Sequence, residues 1–378
     1  MNTSLYPDIS RPTLLIDPQR VHNNIQRMAE KANLNGVRLR PHFKTHQSAR
    51  VGEWFRPFGI DAITVSSLDM AAYFARHGWR DILVAFPLNL RQLDWVRSLS
   101  ATIRLGVLVE CGEQVKALSD SLERAVDVWI KVDSGSHRTG LLWNEPLKIL
   151  ELAHQVRQHR LLNLRGLLTH AGETYHSLNP AEVVQRFRRS NQRMNEVRQF
   201  LAQNGMNDLE VSVGDTPGCS LSDDFEGVDE IRPGNFVFYD AQMARLGACR
   251  ETDIAAVVAC PVVALHPERE EAVIYGGAIH FSKDTVQENG AAVYGWVVQL
   301  HEQGWAPRIM GGALARLSQE HGILRLTAEA LSSLTIGGLV GVIPAHVCLT
   351  VSALGIYRSL QGEWIETLVR ASTPAEPG

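Results

Sequence analysis

Between about Val37 and Tyr239 the sequence alternates short β-rich runs with stretches of helical spacing, and this alternation is its most restrictive feature. Eight strand candidates occur in order: VRLRPHFK, AITVS, ILVAF, IRLGVLVE, DVWIKVD, LRGLLTH, EVSVG and EIRPGNFVFY. Segments between them, such as LDMAAYFARHG, RQLDWVRSLS, EPLKILELAHQVRQH and PAEVVQRFRRSNQRMNEVRQFLAQNG, place apolar residues three and four apart, as an amphipathic helix does. Strand–helix alternation gives parallel strands joined by right-handed crossovers. Eight such units point to a TIM-type (β/α)8 barrel; the competing architecture, an open α/β sheet, usually stops at fewer strands.

After Tyr239 the texture changes. IAAVVACPVVALHP, EAVIYGG, AAVYGWVVQL, HGILRLT, LVGVIPAHVCLTVSALGIYRSL and GEWIETLVRAS are rich in Val and Ile and separated by Gly, Pro and charged turns. They predict a mostly antiparallel β-domain, interrupted by TAEALSSL and ended by the polar tail STPAEPG. The chain is therefore expected to be α/β, with a barrel over residues 12–245 and a β-domain over 246–378 against which residues 1–11 pack. A net charge of -4 gives no electrostatic case for nucleic acid or an anionic membrane. Five scattered cysteines fit reduced thiols better than a disulfide framework. The opening MNTSLYPDISRPTLLID has neither a basic start nor an apolar core, and no apolar run is long enough to span a bilayer, so the expected location is the cytoplasm.

In a TIM barrel, catalytic residues collect where the strands end. Those positions hold Lys44, His137, Arg138, His170, the VGDTPG turn and the RPGN segment. Lys44 lies in RPHFKTH among Arg40, His42 and His46, a positive field that favours an amine acting as a Schiff-base nucleophile. Its bland alternative is a solvated strand-end charge. Gly-rich turns supply backbone N–H groups suited to a phosphate. Lysine, phosphate cradle and barrel together suggest pyridoxal 5'-phosphate (PLP).

RPHFKTH, with RPTLLID, KVDSGSHRTG, LLTHAGETY, VSVGDTPG, EIRPGNFVFYD, LSQEHGIL and PAHVC in this order, resembles the D-serine dehydratase and D-threonine aldolase family of alanine-racemase-like, fold type III PLP enzymes. The resemblance spans nearly the whole chain. It implies that Lys44 carries PLP, that Arg138 meets the phenolic oxygen, that His170 lies near the ring and that Tyr175 stands beside cofactor and substrate. It also implies a phosphate held by the backbone of Gly214, Thr216, Gly234 and Asn235. Arg232 occupies the place of the arginine on the pyridine nitrogen; a salt-bridged strand end is its other reading.

His346 and Cys348 in IPAHVCLTV, two apart on an expected strand, would face one side. A lone pair of this kind is commonly a surface histidine and a core thiol, but here it coincides with the family's metal site. Imidazole plus thiolate favours zinc over magnesium or manganese. Two departures affect the expected pocket: Glu173 stands where the family commonly has His, and Tyr275 where many members have Asp. His176 and His321 are further candidates, with a turn or surface histidine as the alternative. The resemblance thus implies a PLP- and metal-dependent lyase for D-3-hydroxy amino acids, a homodimer, of D-serine or D-threonine dehydratase type. The alternatives are a D-threonine-type aldolase, an amino-acid racemase, and a non-enzymatic PLP carrier.

Overall fold

The computed structural model describes residues 5–368. The described residues pack into two compact units, one made of Gln26–Lys44 and Gly52–Gly234, the other of residues 5–25, Thr45–Val51 and 235–368.

In the first unit each of the eight expected runs contains a strand: Arg38–Leu39, Ala62–Val65, Asp81–Pro87, Arg104–Val109, Val126–Asp133, Leu162–Leu168, Glu210–Val213 and Glu230–Ile231. From Ala62 onward, neighbours in the sheet follow chain order, and Arg38–Leu39 pairs in parallel with Glu230–Ile231. A parallel bridge between His42 and Thr64 joins the first strand to the second, so the sheet comes round on itself as a TIM-type barrel. Alternation along the strands sends one set of side chains inward. Leu83, Leu108, Trp129 and Leu168, from four successive strands of the sheet, meet there as a buried cluster. Burying each contributes about 1.5–3 kcal/mol. Gly166 is required by close strand pairing, because a Cβ there would lie 2.0 Å from the Glu210 carbonyl oxygen.

Helices cover the barrel where sequence periodicity places them, and their starts are chemically marked. Ser67 caps Leu68–Arg76 by accepting from the Met70 N–H. Asn179 caps Pro180–Gln203 by accepting from Glu182, with proline in the first turn. That long helix buries Val183, Phe187, Met194, Val197 and Leu201, spaced at three, four and seven residues along one face.

The strand beginnings carry a closed ring of charge. Glu210, Arg38, Glu230, Arg40, Asp81, Arg104, Asp127 and Arg165 alternate in sign, and Arg165 returns to Glu210, with every N···O contact between 2.5 and 3.9 Å. Burial alone would raise the Glu230 carboxyl, but Arg40 and Arg38 outweigh it and hold it at about 2.

In the second unit, strands Glu271–Tyr275, His321–Arg325, Gly304–Leu317, Gly295–His301, Leu339–Pro344 and Ala256–His266 follow one another antiparallel, and the last also pairs with the first. Thr13–Ile16 extends this sheet antiparallel to Ala256–Ala259, and Ile356–Ser359 adds in parallel to it. The mostly antiparallel expectation holds. Two segments differ from it in detail. Gly304–Leu317 was absent from the expected strands because GWAPRIMGGALARL lacks alternation; Gly311 adopts φ +77° and the register shifts along the strand. LVGVIPAHVCLTVSALGIYRSL, expected to be strand throughout, contains the helix Val347–Leu354, closed by Gly355 at φ +70°. A short, wholly apolar run does not distinguish strand from buried helix by periodicity. TAEALSSL forms the helix Ala328–Ser332, capped by Thr327. The tail STPAEPG lies outside the described residues. No described helix is long and apolar enough to cross a membrane.

Candidate active site

At the C-terminal ends of the barrel strands, Lys44 follows the first strand with an exposed side chain, and its backbone N–H donates to His42 Nδ1 at 3.3 Å. The positive field expected around it is differently composed. Arg40 is committed to Asp81 and Glu230 in the charge ring, and burial pushes His46 down to about 3. The cations that share the field with Lys44 are Arg138 and Lys131, which all act on His170.

His170 closes the Leu162–Leu168 strand, and its Nδ1 lies 2.6 Å from the Gly214 carbonyl oxygen. A carbonyl only accepts, so Nδ1 carries the proton. Burial, reinforced by Lys44, Arg138 and Lys131, lowers its pKa well below the ordinary value, so the ring is neutral. The Tyr175 ring lies 6.1 Å from it, and the Tyr175 hydroxyl accepts from the Thr216 N–H at 3.4 Å.

Lys131 was missed. It alternates with Trp129 along DVWIKVD and therefore points into the barrel, where it is buried with its amine donating to the Val132 carbonyl at 2.9 Å. Burial and the neighbouring Arg232 push the amine down to about 7, against the pull of Asp133. The signal was available: a lysine in phase with a core tryptophan. Past Asp133 the chain turns sharply, with Gly135 and His137 N–H groups donating to Asp133 Oδ1 at 2.8 and 3.1 Å. This turn leaves His137 and Arg138 exposed.

Arg232 is fully enclosed. Its Nη1 donates to Ser212 Oγ and its Nη2 to the Thr169 carbonyl, both at 2.6 Å. Among the described residues it makes no salt bridge, and its buried Nε has no hydrogen-bond partner. Burial lowers its pKa to about 10, with Glu230 opposing. The Thr216 hydroxyl is a second buried atom without a partner. Two residues before it is Gly214, where a Cβ would lie 3.1 Å from Arg232. Gly234 ends the same segment, and next to it Pro233 accepts from the His42 N–H at 2.9 Å. Amine, cations, a neutral imidazole and two orphaned donors suit an anionic, planar ligand with a ring nitrogen that accepts a hydrogen bond. PLP has these features.

In the other unit, His346 and Cys348 do not lie on a strand. His346 precedes the first turn of the helix Val347–Leu354 and Cys348 sits within that turn. The tight turn, rather than a pleat, brings thiol and imidazole into hydrogen-bond contact. His346 Nδ1 lies 3.0 Å from Asp240 Oδ2, and Cys348 Sγ lies 3.2 Å from the Thr45 hydroxyl. The Asn235 side chain donates to Asp240 at 2.5 Å and contacts His346 Nδ1 at 3.3 Å. Among the described residues no group of three or more His, Cys, Asp or Glu is set to hold a metal, so His346 and Cys348 stand as a pair. Imidazole and thiolate donors suit zinc.

The other candidates have local partners. Glu173 lies 3.5 Å from Arg189, and His176 is exposed at the end of a 3-10 turn. The Tyr275 ring meets His280 edge-on at 5.5 Å, and His321 is its cross-strand neighbour.

The alanine racemase N-terminal domain model matches residues 16–242, and the serine dehydratase domain model matches residues 255–359. D-threo-3-hydroxyaspartate dehydratase from Delftia sp. is 30% identical over 94% of this chain and 95% of its own. Its solved structure superposes with a TM-score of 0.86 over 95% and 97% of the two chains. A cysteine-to-alanine variant of that enzyme, described as a metal-free form, superposes with the same score over the same shares. D-serine dehydratase from Dictyostelium discoideum is 26% identical over 94% of each chain.

Proposed function

The chain belongs to the D-serine dehydratase and D-threonine aldolase family of alanine-racemase-like, fold type III PLP enzymes, and from that membership we propose that it is a PLP- and zinc-dependent dehydratase of D-3-hydroxy amino acids. The observation that carries the reading is the orphaned Arg232 Nε and Thr216 hydroxyl at a barrel mouth that also holds Lys44. Those two atoms call for a ligand with polar atoms of its own. PLP held there supplies an electron sink that makes the substrate Cα–H acidic.

The chain's own groups divide the remaining work. Lys44 would carry the cofactor, and its amine would move the proton at the substrate Cα. Arg232, which remains charged, would offer its Nε–H to the cofactor's ring nitrogen, and Arg138 would meet the phenolic oxygen. His170, neutral and held by Gly214, would pack beside the ring without adding charge. Tyr175 would stand next to substrate, and the backbone of Gly214, Thr216, Gly234 and Asn235 would hold the phosphate. His346 and Cys348 would hold zinc, which would supply a Lewis acid for loss of the β-hydroxyl. Support for the metal comes from the donor pair itself and from the metal-free description of the relative's cysteine variant.

The same reading divides the chain into functional modules at 12–245 and 246–378, a division supported by the two family-model matches. It also takes the enzyme to be a cytoplasmic homodimer, on family resemblance. Retro-aldol cleavage to glycine and an aldehyde is the second reading, since a D-threonine aldolase from Arthrobacter is 24% identical over 90% of this chain. A panel of D- and L-3-hydroxy amino acids with product identification decides between them. A 2-oxo acid with ammonia from D-substrates supports dehydration; glycine with an aldehyde supports the aldolase; enantiomer exchange alone defeats both.

A further inference from the structure

The metal pair is embedded in a hydrogen-bonded frame that the reaction does not use. Asp240 is completely buried, and its carboxylate is fully engaged. Oδ1 accepts from the Met243 N–H at 2.9 Å, and Oδ2 accepts from Asn235 Nδ2 at 2.5 Å and from the Val347 N–H at 3.0 Å. The remaining contact of Oδ2 is His346 Nδ1 at 3.0 Å. Tyr239, just before it, adopts φ +52°, a conformation that costs a non-glycine residue energy and persists where surrounding contacts over-determine it. On the other ligand, the Thr45 hydroxyl lies 3.2 Å from Cys348 Sγ, and Thr45 is itself completely buried.

We propose that Asp240 and Thr45 are positioning residues for the metal: Asp240 holds His346 by Nδ1 so that Nε2 faces the ion, and Thr45 donates a hydrogen bond to the Cys348 thiolate. This rests on the metal reading above. A carboxylate accepts only, so Nδ1 carries a proton and the lone pair lies on Nε2. A thiolate cannot donate, so the Thr45 hydroxyl must. Charge agrees with this arrangement: a dication, one thiolate and one carboxylate sum to zero, as buried charge requires. Partners of this kind typically govern metal affinity by about 10–100-fold.

The test loads metal-free protein with Co2+, whose thiolate charge-transfer band reports the Cys348 bond, and measures zinc affinity by competition with a chromophoric chelator. In the unsubstituted protein the band should appear, and Cys348→Ala should abolish it. Asp240→Asn should weaken zinc binding by about 10–100-fold. Thr45→Val should weaken it several-fold and move the band to lower energy, because the sulfur loses a donor. Absence of the band from the unsubstituted protein would defeat the metal reading itself. A normal band with both variants matching the unsubstituted protein in affinity and band position would overturn the positioning roles alone. Because Asp240 also caps the helix Ala241–Arg245, its substitution endangers folding. Long-range 1H–15N correlation of zinc-loaded, unsubstituted protein avoids that difficulty, with His346→Gln to assign the signal. Protonated Nδ1 with metal on Nε2 is expected; metal on Nδ1 would refute the assignment to Asp240.

Discussion

The two ends of the barrel are built from the same strands and handle charge in opposite ways. At the strand beginnings, eight side chains of alternating sign each meet two opposite partners, and the ring closes without help from a ligand. At the strand ends, Lys44, Lys131, Arg138 and Arg232 crowd one region with Asp133, Glu110 and the buried Asp215 as nearby acids, and the Arg232 Nε, the Thr216 hydroxyl and Asp215 Oδ2 are buried without partners. Single segments serve both: Val126–Asp133 gives Asp127 to the ring and Lys131 to the mouth, and Glu230 is separated from Arg232 by one residue. The self-satisfied end is a clamp for the barrel seam, since Arg40 reaches Glu230 on one side of the His42–Thr64 bridge and Asp81 on the other. The unsatisfied end is complementary to an anion.

Substitutions at the two ends should therefore separate activity from stability. The largest effect is expected at the mouth. Lys44→Ala should reduce turnover to background and abolish the borohydride-fixed cofactor adduct, while the exposed site leaves the denaturation midpoint nearly unchanged. An adduct mapped to another lysine would overturn the assignment.

At the ring the pattern should invert. Arg40→Met strips one partner from the buried Glu230 carboxylate and should cost about 3 kcal/mol of stability, read from denaturant titration, with kcat of the folded enzyme little altered. Acid titration sharpens the contrast. Both Glu230 and His170 have folded pKa values below their unfolded ones, so the unfolded chain binds more protons and each contribution is lost as pH falls. His170, and with it the buried His46, begins to lose its contribution below the ordinary histidine value of 6.5. Glu230 loses its contribution between 4.5 and about 2. Arg40→Met should flatten the lower step alone.

A smaller effect is expected from Thr216→Val. Its hydroxyl has no partner in the protein, so stability should hold or rise slightly, whereas cofactor release should become easier by roughly 1–1.5 kcal/mol. A loss of stability with unchanged cofactor affinity would show that this hydroxyl is not part of the cradle.

Much of this molecule was legible in its sequence, and the omissions share a cause. The eight strands were readable because each is a short β-rich run beside a helix of clear periodicity. Lys44, His170 and Arg232 stand out as candidates because they follow the strands that such runs contain. Lys131 was passed over as one charge inside an apolar stretch, although its phase with Trp129 places it inward. The ring was invisible residue by residue: Arg38, Asp81 and Glu210 each look like a solvated strand end until the barrel closes and sets them side by side. Asp240 stands more than 100 positions from His346, and no local pattern announces that distance being closed. His346 and Cys348 were paired correctly by spacing but through the wrong element, a pleat instead of a helical turn.

On the proposed function PLP and metal do separable jobs, and chelation separates them. Treatment with a chelator should abolish formation of 2-oxo acid from D-3-hydroxy amino acids while PLP absorbance persists, and added zinc should restore it. Exchange of the Cα proton with solvent, which needs Lys44 and PLP but not the metal, should survive throughout. A chelated, metal-free enzyme that retained full elimination activity would contradict the account, returning His346 and Cys348 to a helix-capping histidine and a core thiol.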